Sequence, residues 1–353
     1  MSFVMDWISE EEGSHERCAE RWLPELAPSY LQLNEVANPK SILDIQPTHL
    51  RIHRRFKKED VLYLRHLHRL EYLHTNKSGV FNDIQVEAAF LDRLNTLVIF
   101  DPEMKSSAIQ LGRSLKQLTQ LTRLDMGCSG EVLPILAPFM SELTTLQQLS
   151  LANLLSSRLS GDGNQKMLSC LKLLTQLNYL HVQNLVDGSD ATSSLGWFLI
   201  VFQLPRLTSL SFPSNEFDPS GIETVCKSMS RFSRITHLNL SKSTMDEGSA
   251  NALGKAVGDF PILHLELGDI TWESGGWEAF VAQFDHWPML KSLNLESKWK
   301  SEQLSTEQTI ELARQLSKLT SLIMLNITCC QPDDFVLEPL TSLPGLQVFV
   351  LNA

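Results

Sequence analysis

Residues 235–257 of the chain, ITHLNLSKSTMDEGSANALGKAV, contain a strand pattern followed by a helix pattern. The first half has apolar residues at L-x-x-L-x-L spacing, with Leu238 and Leu240 as its last two members. The second half starts with a turn at Asp246 and continues with apolar residues at helical spacing as far as Val257. One strand and one helix cannot bury both apolar faces alone, so the unit is predicted to stack against copies of itself.

The strand pattern recurs twelve times along the chain, at spacings of 23 to 32 residues. Its fourth position falls at Leu50, Leu73, Leu97, Leu124, Leu149, Leu180, Leu210, Leu238, Leu265, Leu293, Leu325 and Phe349. A repeat of this length has room for a full α-helix on the outer side of a curved stack. The pattern therefore predicts an α/β leucine-rich repeat solenoid, a horseshoe with a parallel β-sheet on its concave face and α-helices on its convex face.

The start of the repeat pattern divides the chain into two predicted parts. Residues 47–353 form the predicted leucine-rich repeat domain of about twelve repeats. Residues 1–46 lack the pattern and are predicted to be a helical flank that caps the open end of the first repeat. Within this flank, residues 22–26 (WLPEL) are similar to the start of an F-box, which makes a ubiquitin-ligase substrate adaptor one alternative for the function.

Charge and composition restrict the partners and the compartment. The net charge of −11 argues against a nucleic-acid binder, because such proteins need a basic footprint. The six cysteines are scattered without a disulfide framework, and the N-terminus shows no secretion signal. The longest apolar run, at residues 195–204, is too short to span a bilayer. We therefore expect a cytoplasmic protein that binds neither nucleic acid nor a membrane.

The candidate binding residues lie between the leucines of the strand pattern. Side chains alternate along a strand, so these positions face the concave surface. They include His49, Arg51, His53, Tyr72, His74, Tyr179, His181, His237, His264 and Glu266. A mixed polar and aromatic surface of this kind favours protein binding. The alternative is that strand surfaces simply tolerate histidine and tyrosine well.

A basic cluster near the first repeat is a second candidate surface. Residues 46–77 contain eight lysines and arginines against three acidic residues, and Arg54 and Arg55 adjoin Arg51 and His53 there. In an otherwise acidic protein, this cluster is predicted to dock an acidic segment or a nucleotide phosphate of a neighbouring domain. The alternative is a solvated turn that compensates the acidic residues of the flank.

Four tryptophans lie in two adjacent repeats. We expect Trp272, Trp277 and Trp287 to lie in the core. Trp299 lies in a polar insertion at residues 297–306 and is expected to be exposed, as a further candidate contact.

No motif for catalysis or for cofactor binding accompanies the repeats. The sequence contains no G-x-x-x-x-G-K-[ST] phosphate loop, no H-E-x-x-H, no C-x-x-C and no G-x-S-x-G. Cys329 and Cys330 are adjacent and lack partners at metal-ligand spacing. We therefore expect no enzymatic activity, no cofactor and no metal site.

The C-terminal third carries a resemblance to a known family. Residues 273–280 (ESGGWEAF), 289–295 (MLKSLNL), 312–322 (LARQLSKLTSL) and the pair Asp333-Asp334 follow in order. With the insertion at residues 297–306, this succession is similar to the C-terminal repeats of the NAIP sensors and their CARD-bearing inflammasome partner, which are NOD-like receptors. The remaining repeats resemble the ribonuclease-inhibitor-like class of leucine-rich repeats.

The resemblance implies a protein-binding module of innate immunity. In the NOD-like receptors the repeats fold back over a nucleotide-binding NACHT module and hold the receptor inactive until it detects a ligand. A NACHT domain or a bacterial protein ligand is therefore the expected partner. This chain has no phosphate loop of its own, and residues 1–46 are too few for a CARD or BIR domain. A free-standing inhibitor or scaffold that resembles ribonuclease inhibitor is the main alternative.

Overall fold

A computed structural model describes residues 30–33, 46–52, 66–76, 92–101, 104–153, 159, 161–185, 191–215, 217–229, 234–297, 304–328 and 343–350. Within these ranges the chain alternates between strands and helices, and the strands form one long parallel sheet. The fold is an α/β leucine-rich repeat solenoid, as the repeat pattern predicts.

Thirteen of the described strands form the main sheet, and their order in the sheet follows their order in the chain. They are β1 (Tyr30–Leu33), β2 (His49–Ile52), β3 (Tyr72–Thr75), β4 (Thr96–Phe100), β5 (Arg123–Cys128), β6 (Gln148–Asn153), β7 (Tyr179–Gln183), β8 (Ser209–Ser211), β9 (His237–Asn239), β11 (His264–Glu266), β13 (Ser292–Asn294), β14 (Met324–Asn326) and β15 (Val348–Val350). A second, two-stranded parallel sheet joins β10 (Thr244–Met245) to β12 (Thr271–Trp272).

The register of the main sheet follows the repeat pattern. The twelve predicted fourth positions, from Leu50 to Phe349, form eleven pairs, in which each of the first eleven lies beside the fourth position of the next strand. The eleven leucines among them are at most 1% exposed and form one continuous row in the core. Because a register shift of one residue would turn this row toward solvent, burial of the leucines specifies the pairing.

Strand β1 corrects one prediction. It lies within residues 1–46, which were predicted to lack the strand pattern, and it pairs with β2 so that Leu31 lies beside Leu50. The part of the sheet that the structure describes therefore has thirteen strands rather than the twelve predicted. The strand could not be recognised from the L-x-x-L-x-L pattern, because Pro28 occupies the first leucine position. Leu31 and Leu33 occupy the other two leucine positions. The division between flank and repeat domain stays a prediction in other respects.

Eight α-helices connect successive strands in the described ranges. They are α1 (Ala108–Leu115), α2 (Leu133–Met140), α3 (Gly161–Leu171), α4 (Ala191–Val201), α5 (Pro219–Met229), α6 (Glu247–Asp259), α7 (Gly276–Val281) and α8 (Thr306–Leu316), with short 3-10 helices at Met104–Ser106 and Phe284–His286. Asp246 and Ser305 each begin a helix with a capping box, in which the side chain accepts a backbone N–H three residues later. The turn predicted at Asp246 is thus the start of α6.

Aromatic side chains fill the core between helices and sheet. Phe198 of α4 packs against Phe212 and Phe217, with ring centroids 5.3 and 5.6 Å apart. Trp277 and Trp287 are buried, as predicted, and the Trp287 Nε1 donates a hydrogen bond to the Gly254 carbonyl at 2.8 Å. Trp272 is only partly buried, because it lies at the edge formed by the two-stranded sheet.

A recurring turn ends four of the strands. Asn184, Ser214, Lys242 and Asp269 each lie four residues after the leucine of their strand and adopt a left-handed backbone, with φ between 51° and 62°. Each of them donates its backbone N–H to a carbonyl of the next repeat, at 2.6 to 3.3 Å. The turn therefore continues the bonding between repeats beyond the end of each strand while the chain bends toward the helix.

Of the helices that the structure describes, none is both long and apolar enough to cross a membrane.

Candidate functional site

Two rows of side chains run across the concave face, one on each side of the leucine row. The first row contains His49, Tyr72, Thr96, Arg123, Gln148, Tyr179, Ser209, His237, His264, Ser292, Met324 and Val348. The second row contains Arg51, His74, Val98, Asp125, Ser150, His181, Ser211, Asn239, Glu266, Asn294, Asn326 and Val350. Parallel strands lie about 4.8 Å apart, so neighbours within a row can touch.

The first strands present aromatic and basic side chains. The His49 and Tyr72 rings stack with centroids 5.5 Å apart, and the Thr48 Oγ1 lies 2.9 Å from the His49 Nδ1. In the second row, the partly buried Arg51 lies beside His74, whose ring meets Phe100 edge to face at 6.2 Å. These contacts place four of the sequence-predicted residues on one patch at the N-terminal part of the concave face.

An ion pair occupies the middle of the face. The Arg123 Nε and Nη2 both donate hydrogen bonds to the Asp125 Oδ2, at 3.0 and 2.7 Å. The carboxylate is almost fully buried, at 4% exposure, while the guanidinium is partly exposed. Burial alone would lower the pKa of Arg123, but the hydrogen bond and charge of Asp125 outweigh it, so the pKa is raised. The Arg123 guanidinium therefore stays charged at physiological pH.

Tyr179 and His181 form the next patch. Their rings are parallel, with an interplanar angle of 2° and centroids 6.5 Å apart. The His181 Nδ1 lies 3.0 Å from the Ser211 Oγ of the next strand. Burial lowers the pKa of His181, so this side chain is neutral at pH 7. Burial also raises the pKa of Tyr179 to about 12, and the charges of Asp125 and Glu266 act in the same direction.

His237 and His264 form the closest ring contact of the concave face. Their centroids lie 3.9 Å apart with an interplanar angle of 8°, so the two imidazoles are stacked. In the second row, the Asn239 Nδ2 donates a hydrogen bond to the Glu266 Oε2 at 2.6 Å. Burial and the charge of Lys291 both lower the pKa of His264. The stack is therefore flanked by a carboxylate on one side and a lysine on the other.

The structure brings together most of the sequence-predicted candidates and leaves others outside its description. His49, Arg51, Tyr72, His74, Tyr179, His181, His237, His264 and Glu266 all lie in the two concave rows. The predictions for His53, Arg54, Arg55 and Trp299 fall outside the described residues. The basic cluster therefore stays a prediction, apart from His49 and Arg51.

Several uncharged polar residues of the two concave rows were not among the sequence-predicted candidates. Gln148, Ser150, Ser209 and Ser211 occupy the same positions as the predicted candidates but carry no charge or ring. Only their position in the sequence could have identified them, since each stands directly before or after the fourth-position leucine of its repeat. Ser209 matters most, because it separates Tyr179 on β7 from His237 on β9.

The convex side offers a groove of about 300 Å³ between α2 and α3. Its lining is mainly apolar or small, and its lysine, Lys166, is paired with Asp162 at 2.7 Å. Binding sites usually combine an apolar wall with several converging polar groups, which favours the concave face over this groove.

Cysteine and metal chemistry do not single out another site in the described ranges. Cys128, Cys170 and Cys226 are free thiols, and burial raises the pKa of each to about 12. A thiol of this kind is a poor nucleophile, because the thiolate is the reactive form. In the same ranges, no group of three or more His, Cys, Asp or Glu side chains is placed to hold a metal ion.

Comparisons with known proteins find similar solved structures but no matching family model. No curated protein matches the chain either. One similar solved structure is the crystal structure of the TLR13-ssRNA13 complex, at 17% sequence identity and a TM-score of 0.48. The alignment covers 87% of the present chain and 46% of the TLR13 chain, so the present chain spans less than half of the length of the TLR13 chain. The assignment to leucine-rich repeats rests on the paired strands described above.

Proposed function

We propose that the chain is a protein-binding module and that a partner protein docks on its concave face. One observation carries the proposal: aromatic and charged side chains lie side by side on this face. The first row contains Arg123, Tyr179 and the His237–His264 stack, and Asp125, the partner of Arg123, lies in the second row. Aromatic and arginine side chains dominate the energetics of protein interfaces, because they combine large contact areas with hydrogen bonds. Binding rather than catalysis is the proposed role of the module.

The proposal extends to innate immune sensing in the cytoplasm. The succession of motifs between residues 273 and 334 resembles the repeats of NAIP-type NOD-like receptors. On this basis the partner is a NACHT domain or a bacterial protein ligand, and binding to the NACHT domain is autoinhibitory. The net charge of −11 supports a protein partner over a nucleic acid.

A titration with the purified NACHT module of a NAIP-type receptor tests this function. The expected result is binding that weakens by roughly tenfold when Tyr179 is changed to alanine, the loss typical of one interface hot spot. The matched control is Ile109→Ala on the convex helix α1, where Ile109 is 56% exposed and outside the concave rows. Absence of binding would contradict the NACHT assignment, and equal losses for both variants would contradict the concave face as the contact surface.

A free-standing inhibitor is the second candidate, and the concave rows favour it as well. The basic cluster separates the two candidates, because only the autoinhibitory reading uses it. Changing Arg51, Arg54 and Arg55 together to glutamate is expected to abolish binding to a NACHT module. Binding of a different target that survives this change but is lost in His237→Ala would support the inhibitor. The ubiquitin-ligase adaptor hypothesis depends on residues 1–46 and stays a prediction.

A further inference from the structure

We propose that the concave face seats a basic side chain of the partner protein in the recess above Ser209, between Tyr179 and the His237–His264 stack. This inference rests on the proposed function, since it names the chemistry by which the same face recognises its partner. The recess is defined by three neighbouring strands, β7, β8 and β9.

The spacing of the strands creates the recess. Tyr179 and His237 lie on strands separated by one other strand, so their Cα atoms are about 10 Å apart. Between them, the row contains only the small side chain of Ser209. Where the row has rings on adjacent strands, as at His237 and His264, they stack face to face at 3.9 Å. The serine therefore leaves a gap of about one planar group between two aromatic side chains.

The charges around this recess favour a cation. Burial is the largest cause of the raised pKa of Tyr179, and the charges of Asp125 and Glu266 add to it, each more strongly than the opposing charge of Arg123. Arg123 donates two hydrogen bonds to Asp125, which fixes its guanidinium on that carboxylate. Glu266 is oriented by the neutral amide of Asn239, so this hydrogen bond leaves the carboxylate charge in place.

His181 and His264 do not oppose a cation at neutral pH. Burial lowers the pKa of His181 and of His264, so these imidazoles are neutral at pH 7.5. Lys291 acts on His264, and it precedes β13, on the side of the stack away from Tyr179. A guanidinium or ammonium group placed over an aromatic face is attracted by the negative charge of the ring face, and more strongly when it is desolvated.

The test uses a fluorescently labelled hexa-arginine peptide as the probe, titrated with the full chain at pH 7.5 and physiological salt. Ser209→Leu fills the recess and is expected to weaken binding roughly fivefold, the size of one cation–π contact. The matched control, Ser317→Leu, adds the same side chain at the exposed end of α8, outside the concave rows, and is expected to leave the affinity within about twofold.

A charge-matched pair of variants completes the test. Glu266→Gln removes one negative charge beside the recess, and Glu278→Gln removes one from the exposed convex surface of α7. The inference predicts a loss of roughly fivefold for Glu266→Gln and little change for Glu278→Gln. The inference is overturned if the two serine variants change the peptide affinity equally and Glu266→Gln and Glu278→Gln also change it equally. The peptide would then be held by nonspecific attraction to an acidic protein.

The titration with the NACHT module separates failure of this inference from failure of the proposed function. Suppose that Tyr179→Ala weakens binding of the NACHT module but Ser209→Leu leaves the affinity for the hexa-arginine peptide unchanged. The proposed site for a basic side chain is then wrong, and the concave binding face stands. If Tyr179→Ala leaves that protein bound as before, the concave binding face is itself wrong.

Discussion

The concave face has two regions whose strands differ in length. In the long-strand region, β4 to β7, strands contain five or six residues. In the short-strand region, formed by β8, β9, β11, β13 and β14, each strand contains three. The leucine row is continuous through both regions, so the repeat pattern alone does not account for the difference.

The residue three positions after the leucine accounts for it. In the long-strand region this residue, such as Gly127 or Ala152, continues the ladder with the neighbouring strand. In β8 it is Pro213, which has no N–H to donate. In β13 the side chain of Asn294 accepts the N–H of Glu296 at 2.9 Å, which ends the strand at the asparagine.

The second row of concave side chains also differs between the two regions. In the long-strand region, Val98, Asp125, Ser150 and His181 are only 4 to 7% exposed. In the short-strand region, Ser211 of β8 is still buried, at 8% exposure, whereas Asn239, Glu266, Asn294 and Asn326 are partly exposed. The second row of the long-strand region is therefore expected to contribute mainly to stability, and the second row of the short-strand region to present polar groups to a partner.

The largest expected difference in stability is between variants of Asp125 and of Glu266. Asp125→Ala removes the buried carboxylate that receives two hydrogen bonds from Arg123, so the free energy of unfolding is expected to fall by about 2 kcal/mol. Glu266→Ala removes a partly exposed carboxylate and is expected to cost less than about 1 kcal/mol. Urea denaturation of both variants measures the difference, and equal losses would break the distinction between the two regions.

The pH dependence of stability gives the next contrast. Burial lowers the pKa of His181 below the ordinary value of about 6.5, so between that value and the folded-state pKa the unfolded chain binds more protons. The contribution of His181 is fully present above about pH 6.5 and is lost as the pH falls through the folded-state pKa. Replacement by glutamine is expected to flatten the stability profile between pH 7 and 5 more for His181 than for the less buried His264. The opposite order would contradict the account.

Asn294 tests why the short strands end. Asn294→Ala removes the acceptor of the Glu296 N–H and is expected to cost about 1 kcal/mol, while Asn294→Asp keeps an acceptor oxygen and is expected to cost less. Hydrogen exchange measured at the Glu296 amide reports the change directly. Unchanged protection of this amide in the alanine variant would mean that the side chain does not end the strand.

The smallest expected effect is a gain in stability at Lys242. This residue adopts φ of 62°, a left-handed backbone that costs a side chain with Cβ about 1 kcal/mol. Lys242→Gly is expected to recover up to about 1 kcal/mol, and Asn184→Gly at the equivalent turn is expected to gain less, because asparagine tolerates this conformation. A loss of stability in thermal denaturation of Lys242→Gly would show that its side chain has a packing role.

The sequence was sufficient to predict the fold and which residues face the concave surface. Apolar spacing determines both, because each repeat must bury its leucine, and this burial leaves the residues on either side facing the concave surface. Strand β1 escaped because Pro28 interrupts the pattern that Leu31 and Leu33 otherwise continue.

The grouping of the site residues could not be predicted, because it depends on contacts between repeats. The spacing placed His237 and His264 on neighbouring strands but not their rings face to face at 3.9 Å. Likewise, Ser209 has no property that marks it alone, and its position between two rings appears only when three strands are aligned.

Protection of the concave face by a bound partner tests the central claim most directly. A thiol is introduced at Ser209 in the concave row by Ser209→Cys, and at the exposed Ser317 that ends α8 by Ser317→Cys. The rate of maleimide labelling is then measured with and without a saturating NACHT module. We predict that the partner slows labelling at position 209 by at least about tenfold and leaves position 317 unchanged. Unchanged labelling at position 209 in a complex that demonstrably forms would contradict a concave binding face.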